Sequence, residues 1–318
     1  MNNILISTGS YLPEKILTNS DLEKMVETNS EWIIERTGIK ERHLAKPEEL
    51  TSDLASKAAA NALKKASLKP EDIDLIIVAT TTPDLTFPAT AVCVQEKLGI
   101  KNAAAFDIQA VCTGFIYAVS VADSLLKSGN FKRALVIGAE TITKIIDWTD
   151  RNTCILFGDG AGAVIIEPSE KSDTGILSFS IHSDCSSRNI LQTDSGVSLN
   201  QKAGLLRMEG KEVFKHAIVK LADCTSESLK KAGVTSEQID WVIPHQANQR
   251  ILDATIVKLG MPKEKLISTV AIHGNTSAAS IPLALDWGFA NNKFQPGQTL
   301  AMQAIGGGLT WGSVILKL

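Results

Sequence analysis

The sequence predicts an α/β protein made of two related halves, and two observations lead to this fold class. Strand-like apolar runs alternate with amphipathic helical stretches along all 318 residues. In addition, residues 63–77 (LKKASLKPEDIDLII) are echoed by residues 229–243 (LKKAGVTSEQIDWVI), with eight identical positions out of fifteen. The alternative is that the sequences of any two αβ units look alike without a duplication, since buried strands are rich in Val and Ile. Shared loop residues favour a true duplication.

The elements follow in the same order in each half. The predicted strands are 74–79, 104–109, 134–138 and 162–166, then 241–244, 300–304 and 313–316. The predicted helices between them are 52–65, 113–128, 211–232 and 249–259. This alternation predicts mixed or parallel sheets covered by helices. A polar stretch at 167–174 is the predicted junction, which divides the chain into halves 1–170 and 171–318.

Composition and charge exclude several classes of protein. The formal net charge of −3 does not favour nucleic-acid binding. The longest apolar runs, 73–79 and 134–139, fall far short of a membrane span, and the first residues show no signal-peptide pattern. Five scattered cysteines without C-x-x-C spacing argue against a disulfide framework and a zinc site. We therefore expect a cytoplasmic enzyme that holds no metal.

Cys112 is the candidate nucleophile. It lies between a predicted strand and a predicted helix, where free N–H groups and the helix dipole would lower the pKa of a thiol and bind an oxyanion. Gly114 would leave room for an approaching acyl group. The alternative is a small core residue, as buried cysteines usually are.

Two later turns carry further polar side chains. His245 ends a predicted strand, and the corresponding turn of the first half has no histidine. Asn275 opens a helix 163 residues after Cys112, close to the 161 residues that separate two K-L-G echoes at 97–99 and 258–260. We therefore expect Cys112 and Asn275 to be pseudo-equivalent and to meet at one centre. A packed histidine and a helix-capping asparagine are the alternatives.

Two glycine-rich segments differ in what they predict. The triplet at 306–308 follows a strand and could supply a backbone amide to an oxyanion. The run 158–162 precedes a strand, whereas a dinucleotide-binding loop must follow one, so we reject it as a nucleotide site.

Five motifs together resemble the β-ketoacyl-acyl-carrier-protein synthase III family of the thiolase superfamily, in that family's order and along the whole chain. They are WIIERTGI at 32–39, AVCTGF at 110–115, PHQAN at 244–248, GNTS at 274–277 and GGGLTWG at 306–312. The resemblance implies a thiolase-like duplicated fold, in which two pseudo-equivalent mixed β-sheet halves are layered with helices in the order αβαβα. With asparagine at position 275, the chain resembles initiating synthases and plant-type polyketide synthases. Elongating synthases carry a second histidine at that position instead.

The same resemblance implies a decarboxylating Claisen condensation that initiates fatty-acid biosynthesis without a cofactor. Cys112 would take an acyl group from acyl-CoA. Malonyl-acyl-carrier protein would then lose CO₂, and the carbanion would attack the acyl-enzyme. His245 and Asn275 would stabilise the enolate, while backbone amides of Cys112 and Gly307 would hold the tetrahedral oxyanion.

Substrate-binding residues are also implied by the resemblance. The CoA site would be formed by Thr28, Trp32, Arg36, Arg151, Met208, Gly210, Phe214, Ala247 and Asn248. The acyl pocket would involve Ile142, Phe157 and Phe87, with Phe87 crossing a homodimer interface. Arg250, Lys211 and Lys215 would dock the acidic acyl-carrier protein.

Two other functions remain open at this stage. A cysteine hydrolase of the papain type shares the order Cys, His, Asn, but its Cys-Gly-Ser-Cys-Trp signature is absent here. A non-catalytic acyl-CoA-binding scaffold would have the same fold and would form no covalent adduct at Cys112.

Overall fold

The structure is a computed structural model that describes residues 2–170 and 173–318. Thirteen strands and ten helices are present within those ranges. Up to residue 170 they are β1 (Asn2–Tyr11), β2 (Lys15–Thr18), α1 (Asn19–Leu22), α2 (Ser30–Thr37), β3 (Glu41–Leu44), α3 (Thr51–Lys65), β4 (Leu75–Ala79), α4 (Thr90–Leu98), β5 (Ala104–Ile108), α5 (Gly114–Lys127), β6 (Ala134–Glu140) and β7 (Gly160–Ser169).

The second part of the chain repeats this alternation. Its elements are β8 (Gly175–Ser183), β9 (Leu191–Thr193), α6 (Val197–Asn200), β10 (Leu206–Met208), α7 (Gly210–Ala232), β11 (Trp241–Pro244), α8 (Gln249–Lys258), α9 (Val270–His273), α10 (Ser280–Ala290), β12 (Thr299–Gly306) and β13 (Thr310–Lys317). Every strand and helix predicted from the sequence is found, with ends that differ by a few residues.

Two large mixed sheets have matching strand orders. The first sheet runs β1-β7-β6-β4-β5 and the second runs β8-β13-β12-β11. In each sheet one central strand pairs in parallel with a neighbour, β6 with β4 and β12 with β11, and antiparallel with the next strand. The second sheet has no full counterpart of β5, and a single bridge from Val242 to Leu266 stands at that place.

Helices cover and separate the two sheets. The central layer is α5 and α10, whose apolar side chains pack between the inner faces of both sheets. Helices α3 and α4 cover the outer face of the first sheet, and α7 and α8 cover that of the second. The order of layers is therefore αβαβα, as the resemblance implied.

Residues along β4 show why these strands were recognisable from the sequence. Leu75, Ile77 and Ala79 face the central helices, while Ile76 and Val78 face α3 and α4. All five side chains are fully buried, as expected for a strand covered on both faces.

The boundary between the halves, expected between residues 170 and 171, stays a prediction. Lys171 and Ser172, within the polar stretch, lie outside the described residues. Each large sheet takes all its strands from one side of this point. Among the described residues, no helix is both long and apolar enough to cross a membrane.

Candidate active site

The nucleophile candidate lies in a tight turn between β5 and α5. This 3-10 turn spans Val111–Thr113 and begins with Val111 at φ +49°, a value that side chains other than glycine rarely adopt. Cys112 is 5% exposed and contributes to the wall of a cavity. The turn therefore holds the thiol at the inner end of a pocket.

The pKa expected for this thiol was wrong. Burial is the main cause that raises the pKa of Cys112 to about 12; a hydrogen bond from Ser277 opposes this rise, and the charge of Glu140 contributes to it. Desolvation of the thiolate is the largest cause of this shift, although α5 begins two residues later. The thiol is therefore protonated in the resting protein.

The expected role of Gly114 was also wrong. A Cβ built on this residue would lie 3.1 Å from the Cβ of Ala79 and 3.6 Å from that of Ala278. Gly114 is not among the residues that line the cavity. The glycine allows the first turn of α5 to pack closely on β4 and on the turn before α10.

His245 follows β11 and is held by two backbone contacts and one side-chain contact; its carbonyl accepts from Ala247 N at 2.9 Å. Its N–H donates to the carbonyl of Gln303 at 2.7 Å, and its Nδ1 lies 2.7 Å from Ser280 Oγ. Burial lowers the pKa of His245 to about 3. The imidazole is therefore neutral near pH 7 and can act as a hydrogen-bond donor without carrying charge.

Asn275 is fixed through its backbone and its side-chain oxygen. Its N–H donates to Leu156 O at 2.9 Å, and its carbonyl accepts from Gly158 N at 3.0 Å. Its Oδ1 accepts from Ser277 N at 3.0 Å. Because the oxygen is used in this way, Nδ2 with its two hydrogens is the end of the carboxamide left for the cavity.

The structure brings Cys112, His245 and Asn275 to one cavity. Ile142 and Phe157, expected in an acyl pocket, line the same cavity, but Phe87 is 82% exposed in the single chain and lies outside it. The remaining lining residues are mostly apolar: Val111, Leu156, Leu191, Leu206, Met208, Gly210, Val213, Ala247, Asn248, Ile251, Ser277 and Ile305.

The glycine triplet packs on the nucleophile turn. A Cβ on Gly306 would lie 2.8 Å from Cys112 N, and one on Gly307 would lie 2.8 Å from Leu191 O. Thr310 links the glycine triplet to the Cys112 turn, because its Oγ1 donates to Ala110 O at 3.0 Å. Backbone thus approaches the thiol closely, as expected, with Gly306 in more direct contact than Gly307.

A second, wider chamber adjoins the cavity and carries the aromatic and basic residues. Two guanidinium groups lie over the Trp32 ring, with Arg36 Cζ at 5.4 Å and Arg151 Cζ at 5.5 Å from its centroid. Arg36 and Trp32 line this chamber with several residues expected at the CoA site or for docking: Met208, Gly210, Lys211, Phe214, Lys215, Asn248 and Arg250. Leu156, Met208, Gly210 and Asn248 line both spaces, so the two spaces adjoin each other.

Three of the expected binding residues lie differently. Arg151 is near Trp32 but lines neither space, and its Nη1 donates to Glu27 O at 3.0 Å. Thr28 lines neither space, and its Oγ1 is buried without a hydrogen-bond partner among the described residues. Lys215 lines the chamber, but its ammonium already pairs with Glu212 at 2.7 Å.

Sequence reasoning assigned no role to three residues that support the site, namely Glu140, Ser277 and Ser280. Glu140 is fully buried at the end of β6 and accepts hydrogen bonds from Thr82 Oγ1 at 2.6 Å and Ser277 Oγ at 3.0 Å. Burial raises the pKa of this carboxyl group. Ser280 contacts His245. A carboxylate at the end of an apolar strand was the only available signal, because serine contacts depend on the folded geometry.

Comparisons with known proteins agree on one family. The family model described as 3-oxoacyl-[acyl-carrier-protein (ACP)] synthase III matches residues 106–185, and the model of its C-terminal part matches residues 229–318. A β-ketoacyl-[acyl-carrier-protein] synthase III of Erythrobacter litoralis is 55% identical over 313 residues, which cover 98% of this chain and 97% of the relative.

Solved structures are similar over the whole chain. The 3-oxoacyl-[acyl-carrier-protein] synthase III of Aquifex aeolicus VF5 has a TM-score of 0.95 and 49% identity, covering 99% of this chain and 100% of the other. The priming β-ketosynthase of the R1128 polyketide biosynthetic pathway also has a TM-score of 0.95, at 33% identity, covering 100% of this chain and 96% of the other.

Proposed function

The chain belongs to the 3-oxoacyl-[acyl-carrier-protein] synthase III family, and we propose that Cys112, His245 and Asn275 carry out the reaction of that family. The protein is an acyltransferase of fatty-acid biosynthesis, which condenses an acyl-CoA with malonyl-acyl-carrier protein. One observation carries the assignment of residues: the three side chains line one cavity. A papain-type hydrolase is set aside, because relatives along the whole chain are synthases.

In the first half-reaction, Cys112 is acylated. Its thiol proton passes to water as the sulfur attacks the thioester carbonyl, the C–S bond to CoA breaks, and that proton is returned to the CoA thiolate, so CoA leaves as a thiol. A desolvated thiolate is a strong nucleophile once its proton has left. Backbone N–H groups of Cys112 and Gly307 stabilise the tetrahedral oxyanion, and the packing of the glycine triplet on the cysteine turn supports this assignment.

In the second half-reaction, the malonyl group loses CO₂ and negative charge moves onto its thioester oxygen. His245 Nε2–H and Asn275 Nδ2–H donate to that oxygen and stabilise the enolate. The carbanion then attacks the acyl-enzyme and the Cys112 thiolate leaves. A neutral imidazole suits this task, and the depressed pKa of His245 supports it.

The adjoining chamber is the proposed CoA site. The adenine would stack on Trp32 between Arg36 and Arg151, because aromatic rings and guanidinium groups both stack on a base and the arginines also attract phosphates. The pantetheine arm would follow Met208, Gly210 and Asn248, which line both spaces, toward Cys112. Phe214 and Ala247 would line the same path.

We further propose a homodimer. Phe87 is 82% exposed and Leu85 is 56% exposed, and such a pair is more stable when covered by a second copy of the chain. Phe87 would then reach the acyl pocket of the partner. Arg250, Lys211 and Lys215 would dock the acyl-carrier protein. The free thiols of all five cysteines favour the cytoplasm.

Acylation with acetyl-CoA alone tests the catalytic assignment. Peptide mass spectrometry should find one acetyl group, and it should lie on Cys112. Cys224→Ala is a matched control, because Cys224 is equally buried but bonds only to its own helix and to neighbouring side chains, and it should leave acylation intact. A protein that binds acetyl-CoA without forming the adduct would be the non-catalytic scaffold.

A further inference from the structure

Ser280 is the first residue of α10 and lies directly beside the proposed enolate donor. Its side chain is 1% exposed, and its Oγ is 2.7 Å from His245 Nδ1. The same oxygen accepts a hydrogen bond from Gln246 N at 3.3 Å. This serine was part of no site expected from the sequence.

Counting hydrogens favours one direction for the contact with His245. A serine hydroxyl has one hydrogen to donate, and its oxygen already accepts from the Gln246 N–H. Within residues 2–170 and 173–318, His245 Nδ1 is the one acceptor that Ser280 Oγ reaches. Donation to Nδ1 is therefore the arrangement that uses the hydroxyl hydrogen, and it places the proton of the neutral ring on Nε2.

We propose that Ser280 is a positioning residue that holds His245 in the tautomer with its proton on Nε2. The inference rests on the proposed role of His245 as a donor to the enolate. In the other tautomer, Nε2 would present a lone pair to the developing oxyanion, and the two would repel each other.

The first half of the protein shows that the fold itself does not need this hydroxyl. Ala79 and Gly114 stand 166 residues before His245 and Ser280, the same separation as between Leu63 and Leu229 in the repeated segment. There the strand end packs on the helix start without a polar contact, since a Cβ on Gly114 would lie 3.1 Å from the Cβ of Ala79. The second half differs at both positions, so the pair serves the site rather than the packing.

Nitrogen NMR of protein labelled with ¹⁵N-histidine tests the tautomer directly. The chain has five histidines, and the signals missing from His245→Ala identify those of His245. We expect an unprotonated Nδ1 and a protonated Nε2 in the unmodified protein, and a mixture of tautomers in Ser280→Ala. A protonated Nδ1 in the unmodified protein would overturn the proposal, whatever the activity.

Kinetics separate positioning from general damage. Ser280→Ala should slow decarboxylation of malonyl-acyl-carrier protein about tenfold, the effect of losing one hydrogen bond, while acetylation of Cys112 stays within about threefold. Ser280→Thr keeps the hydroxyl and should restore decarboxylation. Ser120→Ala is the matched control, because Ser120 is a buried helical serine that bonds only to Ile116 O at 2.8 Å.

The outcomes are distinguishable from failure of the proposed function. Equal losses in both half-reactions, or no loss in Ser280→Ala, would contradict the positioning role. If the unmodified protein fails to decarboxylate the malonyl substrate at all, the proposed function is wrong, and the NMR result still decides the tautomer.

Discussion

Two turns of the molecule have the same backbone and different chemistry. Val111 begins the turn before α5 at φ +49°, and Ser277 begins the turn before α10 at the same angle. Both turns are three residues long and lead directly into a central helix. By this alignment, Cys112 corresponds to Ala278. The expected pseudo-equivalence of Cys112 with Asn275 was therefore wrong by three residues.

The strands that precede each helix differ in a complementary way. β6 ends at Glu140 and β12 ends at Gly306, again 166 residues apart. Glu140, in the first half, accepts a hydrogen bond from Ser277 in the turn before α10. Gly306, in the second half, packs on Cys112 N in the turn before α5. Each half therefore supports the turn of its neighbour. The comparison teaches that the repeated backbone creates the meeting point, and a few unmatched side chains supply the reactivity.

The largest expected effect comes from making the two turns alike. Cys112→Ala gives the first turn the residue found at Ala278. We expect condensation to fall by at least about 10³-fold because no acyl-enzyme can form, with little change in thermal unfolding. Product formation from acetyl-CoA and malonyl-acyl-carrier protein measures it. Retention of more than a tenth of the rate would show that the nucleophile lies elsewhere.

The next largest effect is expected from a variant that removes the difference between the ends of β4 and β11. His245→Ala places an alanine directly after β11, as at the corresponding position of the first half, Ala79, at the end of β4. Loss of one oxyanion donor typically costs about 10²–10³ in rate, so release of CO₂ from the malonyl substrate should fall by that factor. Acetylation of Cys112 should be spared.

Asn275→Ala is the parallel variant for the second donor. It should have the same pattern as His245→Ala, with decarboxylation damaged more than acetylation. If either variant damages both half-reactions equally, the assignment of these two residues to the enolate is wrong.

The dependence of the free energy of unfolding on pH should show a smaller effect of His245, the histidine that only the second half carries. Burial lowers the pKa of His245 to about 3 from 6.5, so the unfolded chain binds an extra proton between those values. Stability should therefore decline as the pH falls below 6.5, by roughly 2 kcal/mol at pH 5 from this group. Urea unfolding at pH 7 and pH 5 measures the decline, and His245→Gln should reduce it by that amount. An unchanged decline in this variant would assign it to other groups.

The smallest effect concerns Glu140. Its charge raises the pKa of Cys112, so Glu140→Gln should lower the pKa of that thiol and shift the alkylation of Cys112 by iodoacetamide toward lower pH. Asp159→Asn is the control, because Asp159 is also fully buried but bonds to Thr143 and Ala45. Equal shifts in the two variants would point to a general loosening.

Much of the fold could be predicted because its central strands are apolar on both faces. The strand β8, by contrast, was missed, since its sequence GILSFSIHS is rich in serine and about half of it is partly exposed at a sheet edge. The hairpin of β2 and β3 and the pair of β9 and β10 were too short to give a periodic signal.

The site was predictable where motifs place side chains at strand and helix ends. Cys112, His245 and Asn275 were found in this way. Ser280 and Glu140 were not, because their contacts join segments 35 and 137 residues apart. The predicted lowering of the pKa of Cys112 was wrong, because the sequence shows the neighbouring helix and does not show how completely the thiol is desolvated.

The residues shared by the two spaces have a consequence for the order of the proposed steps. Leu156, Met208, Gly210 and Asn248 border both the inner cavity and the outer chamber, so the proposed paths of CoA and of the carrier arm meet at the same four residues. We therefore expect a departing CoA and an arriving carrier arm to exclude each other there. On this proposal CoA leaves before the malonyl substrate enters, and excess acyl-CoA should inhibit by competing with the carrier protein.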